Sequence, residues 1–121
     1  MVRSIMVKGI EALTAEMMLA ADKAGVTDAV LASLGGDWRD KADYNLDRML
    51  AHGLRRAAEM EEVVATLTEL GIAPLMTRGT VERQRAIGGQ LAGAPVPDTL
   101  TDKLALITHT VQLPIGKADA A

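Results

Sequence analysis

Arg3, Ser4, Lys8, Glu11, Thr14 and Asp22 fall in one sector of a helical wheel, at about 100° per residue. The segment around them is otherwise crowded with Ile5, Met6, Val7, Ile10, Leu13, Met17, Met18 and Leu19. An amine and a carboxylate on one polar line can move a proton or hold an anion. Lys8 and Glu11, at i and i+3, also have the spacing of a plain ion pair at a solvent edge. The line therefore reads either as a solvated rim or as a face turned to a cleft or ligand.

A second run of chemical groups lies in HGLRRAAEMEEVVATLTELGIAP, beginning at His52. Arg55 and Glu59 stand at i and i+4, which a solvated ion-pair face would explain. The His52-Gly53 step reads as a bend, which would place Arg55 and Arg56 near a helix start. Partial positive charge there, with the planar guanidinium fork, suits a carboxylate or phosphate. The expectation is that His52 and Arg55 line an anion-binding cleft, with Arg56 taking that place if the helix is rotated. Other arrangements carry less. Gly88-Gly89 with Gly93 lacks both the spacing and the preceding strand of a dinucleotide loop. His52 and His109 have no partner at metal-ligand spacing. No Ser, His and acid set points to a hydrolase.

These groups need helices to position them. Val2 to Ala24 reads as one long helix, stopped at Gly25 with Val26 just beyond. Its apolar residues cover more than one stripe, so it belongs buried in a core or against a partner. Thr27 suits an N-cap for a short helix to Leu34, broken by Gly35 and Gly36, and Asp37 can cap a helix from Trp38 to about Ala51. Beyond the expected bend, Leu54 to Leu70 is amphipathic and closes at Gly71, and Pro74 opens a helix through about Leu91. Gly93-Ala94-Pro95-Val96-Pro97 is a turn-rich connection. Thr99 to Val111 is a last helix, with Thr99 and Asp102 resembling a capping box. The expected fold is all-α, one multi-helix domain over residues 1–114, with a frayed tail at 115–121.

Composition narrows the classes further. Only Trp38 and Tyr44 are aromatic, so Ala, Leu, Ile, Val and seven Met must fill the core, which favours close-packed helices over sheets. Without cysteine there is neither a disulfide framework nor a thiolate metal site, and the expected compartment is the cytoplasm. Net charge is −3, with basic and acidic residues interleaved, so no nucleic-acid footprint appears. Lys8, Glu11, Glu16 and Asp22 interrupt the first apolar run before it could span a membrane.

In this order, SIMVKGIEALTAEMMLAADKAGV, then DWRDKADYNLDRMLAHGLRRAAEMEEVVATLTELGIAP, then TVERQRAIG, the chain resembles a known domain. It is similar from Val2 to Gly88 to the helical C-terminal domain of NAD(P)-dependent oxidoreductases in the 6-phosphogluconate dehydrogenase and β-hydroxyacid dehydrogenase superfamily. HGLRRAAEMEEV is its most specific run. The resemblance implies a 6-phosphogluconate dehydrogenase C-terminal-domain-like fold that binds substrate and dimerises. It also implies an N-terminal Rossmann domain, outside these residues, that binds NAD or NADP and works with this domain in cis or in trans.

The family's lysine, followed four residues later by Asn or a similar polar group, would then stand just before Met1, with Ser4 as that group. Ser in place of Asn is a departure that puts the substrate contacts there in doubt. Lys8 is the catalytic candidate within the chain, able to move into that role or to orient a substrate. Ser4, Glu11, His52, Arg55 and Arg56 are the substrate-binding candidates for a small anionic 3-hydroxyacid. Alone, the chain is expected to be a homodimer, to bind no cofactor and to transfer no hydride. The rival is a standalone helical homodimer or small-anion-binding module. A third reading is a small cofactor-free enzyme using Lys8 with Glu11.

Overall fold

The computed structural model describes residues 1–111, which form five helices and, among them, no strand. They are α1 (Arg3–Ala24), α2 (Thr27–Leu34), α3 (Trp38–Glu69), α4 (Leu75–Gln90) and α5 (Leu100–Thr110). The chain is a single all-α domain, and the expected tail at 115–121 lies outside the described residues. No described helix is long and apolar enough to cross a membrane.

Local chemistry sets most helix ends. Gly25 takes the left-handed conformation, φ 72°, and the Val26 N–H reaches back to the Ala21 carbonyl to close α1. The Thr99 hydroxyl accepts from the Asp102 N–H at 3.1 Å, one half of the expected capping box. The other expected caps act differently. Thr27 begins α2 without a side-chain cap bond, and Asp37, just before α3, pairs instead with Lys41.

The expected bend at His52-Gly53 is not there. α3 runs unbroken for 32 residues, about 48 Å at 1.5 Å per residue. Gly53 is needed for close approach: a Cβ there would stand 2.6 Å from the Gln84 carbonyl oxygen and 2.8 Å from Gly88 Cα. The reciprocal Cβ on Gly88 would meet Gly53 Cα at 2.4 Å. α3 and α4 thus cross with their backbones almost touching.

α3 is the axis of the domain, with α1 and α4 packed along it, α5 against its first half, and α2 bridging α1 and α3. The main core joins Met18, Leu46, Met49, Ile87 and Ile107 from four helices, and a smaller one gathers Met60, Val63 and Val81. Methionine supplies many of the largest buried side chains, as a chain almost without aromatics requires. α1 gives one face to the core, through Ala12, Ala15, Met18 and Leu19. Its opposite face leaves Met6, Ile10 and Leu13 exposed beside Leu75 and Met76 of α4.

Candidate functional site

The middle of the polar line of α1, from Lys8 to Thr14, turns inward, while Arg3 and Asp22 at its ends are exposed. Glu11 is 3% exposed and Thr14 is buried, so a solvated Lys8–Glu11 rim is excluded. Where α1, α3 and α4 meet, the Glu11 carboxylate accepts from Arg56 Nη1, 3.2 Å from Oε2, and from Gln84 Nε2, 2.9 Å from Oε1. Gln84 Nε2 also donates to the Lys8 carbonyl at 3.3 Å. One turn along α1, the Thr14 hydroxyl accepts from buried Asn45 at 3.4 Å. Successive turns of a mostly apolar helix thus place polar groups where α3 offers polar partners.

Cations surround Glu11, the one buried carboxylate among the described residues. Arg56, with 13% of its side chain exposed, pairs with Glu11, while Lys8 and Arg48 act on it from further away. Arg48, His52 and Arg56 recur every four residues and so share one face of α3. Lys8 and Ser4 are half-buried on the matching sector of α1.

Burial raises the Glu11 carboxyl above its ordinary value, overcoming the lowering influences of Gln84, Arg56, Lys8 and Arg48. The imidazole of His52 is lowered, by desolvation first and then by Arg48, Arg55 and Arg56. Both shifts have physical causes expected at a tuned site.

A raised folded-state pKa makes Glu11's contribution to stability complete below the ordinary glutamate range. It is lost as pH rises through the raised value. Carboxyl carbon NMR is expected to give Glu11 a midpoint above ordinary glutamate. The stability of wild type relative to Glu11→Gln should fall with rising pH across that window. A midpoint at or below the ordinary range contradicts this account.

The candidate residues separate into two places. Lys8, Glu11 and Arg56 belong to the α1–α3 junction, and Ser4 is half-buried two turns before Glu11 on α1. Arg55 points away, 68% exposed and 3.6 Å from Glu59, which is the plain i, i+4 ion pair. It still lines an open groove of about 530 Å³ together with His52, Leu54 and Ala94. His52 therefore faces the groove while feeling the arginines of the junction. Sequence reasoning missed Arg48 and Gln84. The four-residue spacing of Arg48, His52 and Arg56 was available as a signal. Gln84 gave only its place in the apolar phase of Val81, Gln84 and Ile87.

Two polar atoms of the junction have no hydrogen-bond partner: Arg56 Nε and Gln84 Oε1, the latter on a fully buried residue. Arg56 places Nη1 on Glu11, and its Nε is buried without a partner. Gln84 Oε1 offers an acceptor to a hydroxyl or water. Gly88 and Gly89 lie inside α4, with Gly88 packed on Gly53, so they form no glycine-rich dinucleotide loop.

Residues 21–87 match a family model described as Domain of unknown function (DUF1932). The fold is similar to the crystal structure of a conserved hypothetical protein from Sinorhizobium meliloti 1021, with a TM-score of 0.80 and 36% sequence identity. That match covers 89% of this chain and 38% of the other, so this chain spans well under half of its structural relative's length. No curated protein matches.

Proposed function

The chain belongs to the DUF1932 family, and from that premise we propose that it is the helical substrate-binding and dimerising domain of an NAD(P)-dependent oxidoreductase. The parent superfamily is that of 6-phosphogluconate and β-hydroxyacid dehydrogenases, and the substrate is a small 3-hydroxyacid-type anion. The observation that carries the reading is Arg56: nearly buried, pinned by Glu11 through Nη1, with Nε left over. Arg56 holds the substrate carboxylate, Glu11 fixes the guanidinium, and Ser4 and Lys8 face the hydroxyl end. NAD or NADP, held by a Rossmann domain, supplies the hydride chemistry. The cytoplasm is the proposed compartment. The greater length of the structural relative is consistent with a domain that works as part of a longer protein.

The test titrates residues 1–121 with 3-hydroxybutyrate and follows the Arg56 Nε–H by NMR. A saturable shift is expected, and calorimetry of Arg56→Lys, which keeps the charge and loses the fork, should give about tenfold weaker binding than wild type. NADH should produce no saturable shift in this chain. Supplying a Rossmann domain in cis should bring hydroxyacid-dependent reduction of NAD(P), which Arg56→Lys lowers. An Arg56 resonance indifferent to hydroxyacid sinks the reading.

The exposed apolar face of α1 favours a second reading, a homodimeric interaction or small-anion-binding module without enzymatic activity. Both readings place a dimer contact on Met6 and Leu13. They part on whether a Rossmann domain confers activity.

A further inference from the structure

Both aromatic residues of this chain, Trp38 and Tyr44, line one recess of about 460 Å³ beside the N-terminal half of α3. Large aromatic side chains are usually the first to be spent on a core. Here Tyr44 is 63% exposed, and Trp38 is only half-buried against the main cluster. Ile10 and Asn45 line the same recess, with Asp37 and Asp40 at its rim.

The ring faces already attract cations from their own helix. Lys41 Nζ sits 5.4 Å from the Trp38 ring centre, and the Arg48 guanidinium lies 5.6 Å from that of Tyr44. Lys41 also pairs with Asp37 at 3.3 Å, and both side chains are more than half exposed. Lys41, which also lines the recess, is therefore weakly held and easily displaced, whereas half-buried Arg48 is fixed by Asp47 and stays on its side of Tyr44. Asp40 pairs with no cation among the described residues, and it lines a neighbouring recess that shares Tyr44. In that recess Asp43 is taken by nearly buried Lys103, at 2.6 Å.

The geometry points to a binding site for an organic ammonium ion of about the size of choline. The rings of Trp38, once Lys41 is displaced, and Tyr44 receive the methyl groups, Ile10 adds apolar contact, and the Asp40 carboxylate answers the charge. A bare metal ion is a poor occupant. The walls are largely ring and aliphatic carbon, which a hard cation does not favour. The inference is independent of any dehydrogenase role.

Trp38 is the only tryptophan, so intrinsic fluorescence reads this recess alone. The test compares choline with 3,3-dimethylbutan-1-ol, its uncharged isostere. Choline is expected to change the Trp38 emission saturably at millimolar concentration and to shift the Trp38 indole N–H resonance, while the isostere does neither. Asp40→Asn and Tyr44→Ala, both at exposed positions, should each weaken choline about fivefold. A linear response that is the same for both molecules overturns the site. So does choline binding that ignores both substitutions, or an indole resonance that choline leaves in place.

Discussion

Gly88→Ala is expected to destabilise the domain by about 3 kcal/mol, although alanine is the better helix former. The new methyl would meet backbone atoms, Gly53 Cα at 2.4 Å and Leu54 N at 2.5 Å, and backbone cannot rotate away as a side-chain tip can. Relief requires α3 and α4 to separate, opening gaps beside Ile87 and Met60. Gly53→Ala should cost a similar amount, since its Cβ would face the Gln84 carbonyl at 2.6 Å.

Gly79 is the control. It lies in the same helix with nothing within 4 Å of its Cβ, so Gly79→Ala should stabilise by up to about 1 kcal/mol. Urea unfolding of the three variants measures both signs. If Gly88→Ala is as well tolerated as Gly79→Ala, the close crossing of α3 and α4 is wrong.

Removing Arg56 alone should be nearly as damaging. Arg56→Met leaves the Glu11 carboxylate buried with Gln84 as its remaining hydrogen-bond donor, and breaking such a pair costs about 3 kcal/mol. Desolvation already outweighs attraction at Glu11, as its raised pKa indicates. Removing both charges should therefore recover most of the loss, with Glu11→Leu/Arg56→Met within about 1 kcal/mol of wild type. Gln84 keeps the Lys8 carbonyl as an acceptor in the double variant. A double-mutant cycle by urea unfolding provides the coupling energy. Additive losses would show that the pair is not a unit.

If the double variant regains stability but no longer binds 3-hydroxybutyrate by calorimetry, as wild type is expected to, the pair is retained for ligand binding rather than for folding. That result would connect the buried charge to the function proposed for it. The exposed Arg55–Glu59 pair offers the contrast, because an open i, i+4 contact should change stability by no more than about 0.5 kcal/mol when Arg55 is replaced by Ala.

α1, α2, α4 and α5 were legible in the sequence because their signals are local. Gly25 and Gly71 take positive φ at helix ends, and Thr99 caps α5, each where the residue type alone suggested. The all-α class followed from helical spacing and from a core with almost no aromatic side chains. The existence of a polar line on α1 followed from periodicity as well. His52-Gly53 was misread as a bend for an equally physical reason: the glycine that explains it is Gly88, on another helix. A local rule registers the missing side chain but not the backbone that fills its place.

What the line of Lys8 and Glu11 faces was decided only by the tertiary structure. Glu11 finds Arg56 at a separation of 45 residues and Gln84 at 73, both brought to it by the α3–α4 crossing. Arg55 and Arg56 are adjacent and chemically alike, yet one is solvated and the other nearly buried. A helix turns about 100° between neighbours, so composition and spacing leave the rotation of α3 about its axis undetermined to within a residue. Packing selects that rotation, because the close crossing at Gly53 and Gly88 admits only one face of α3 toward α4.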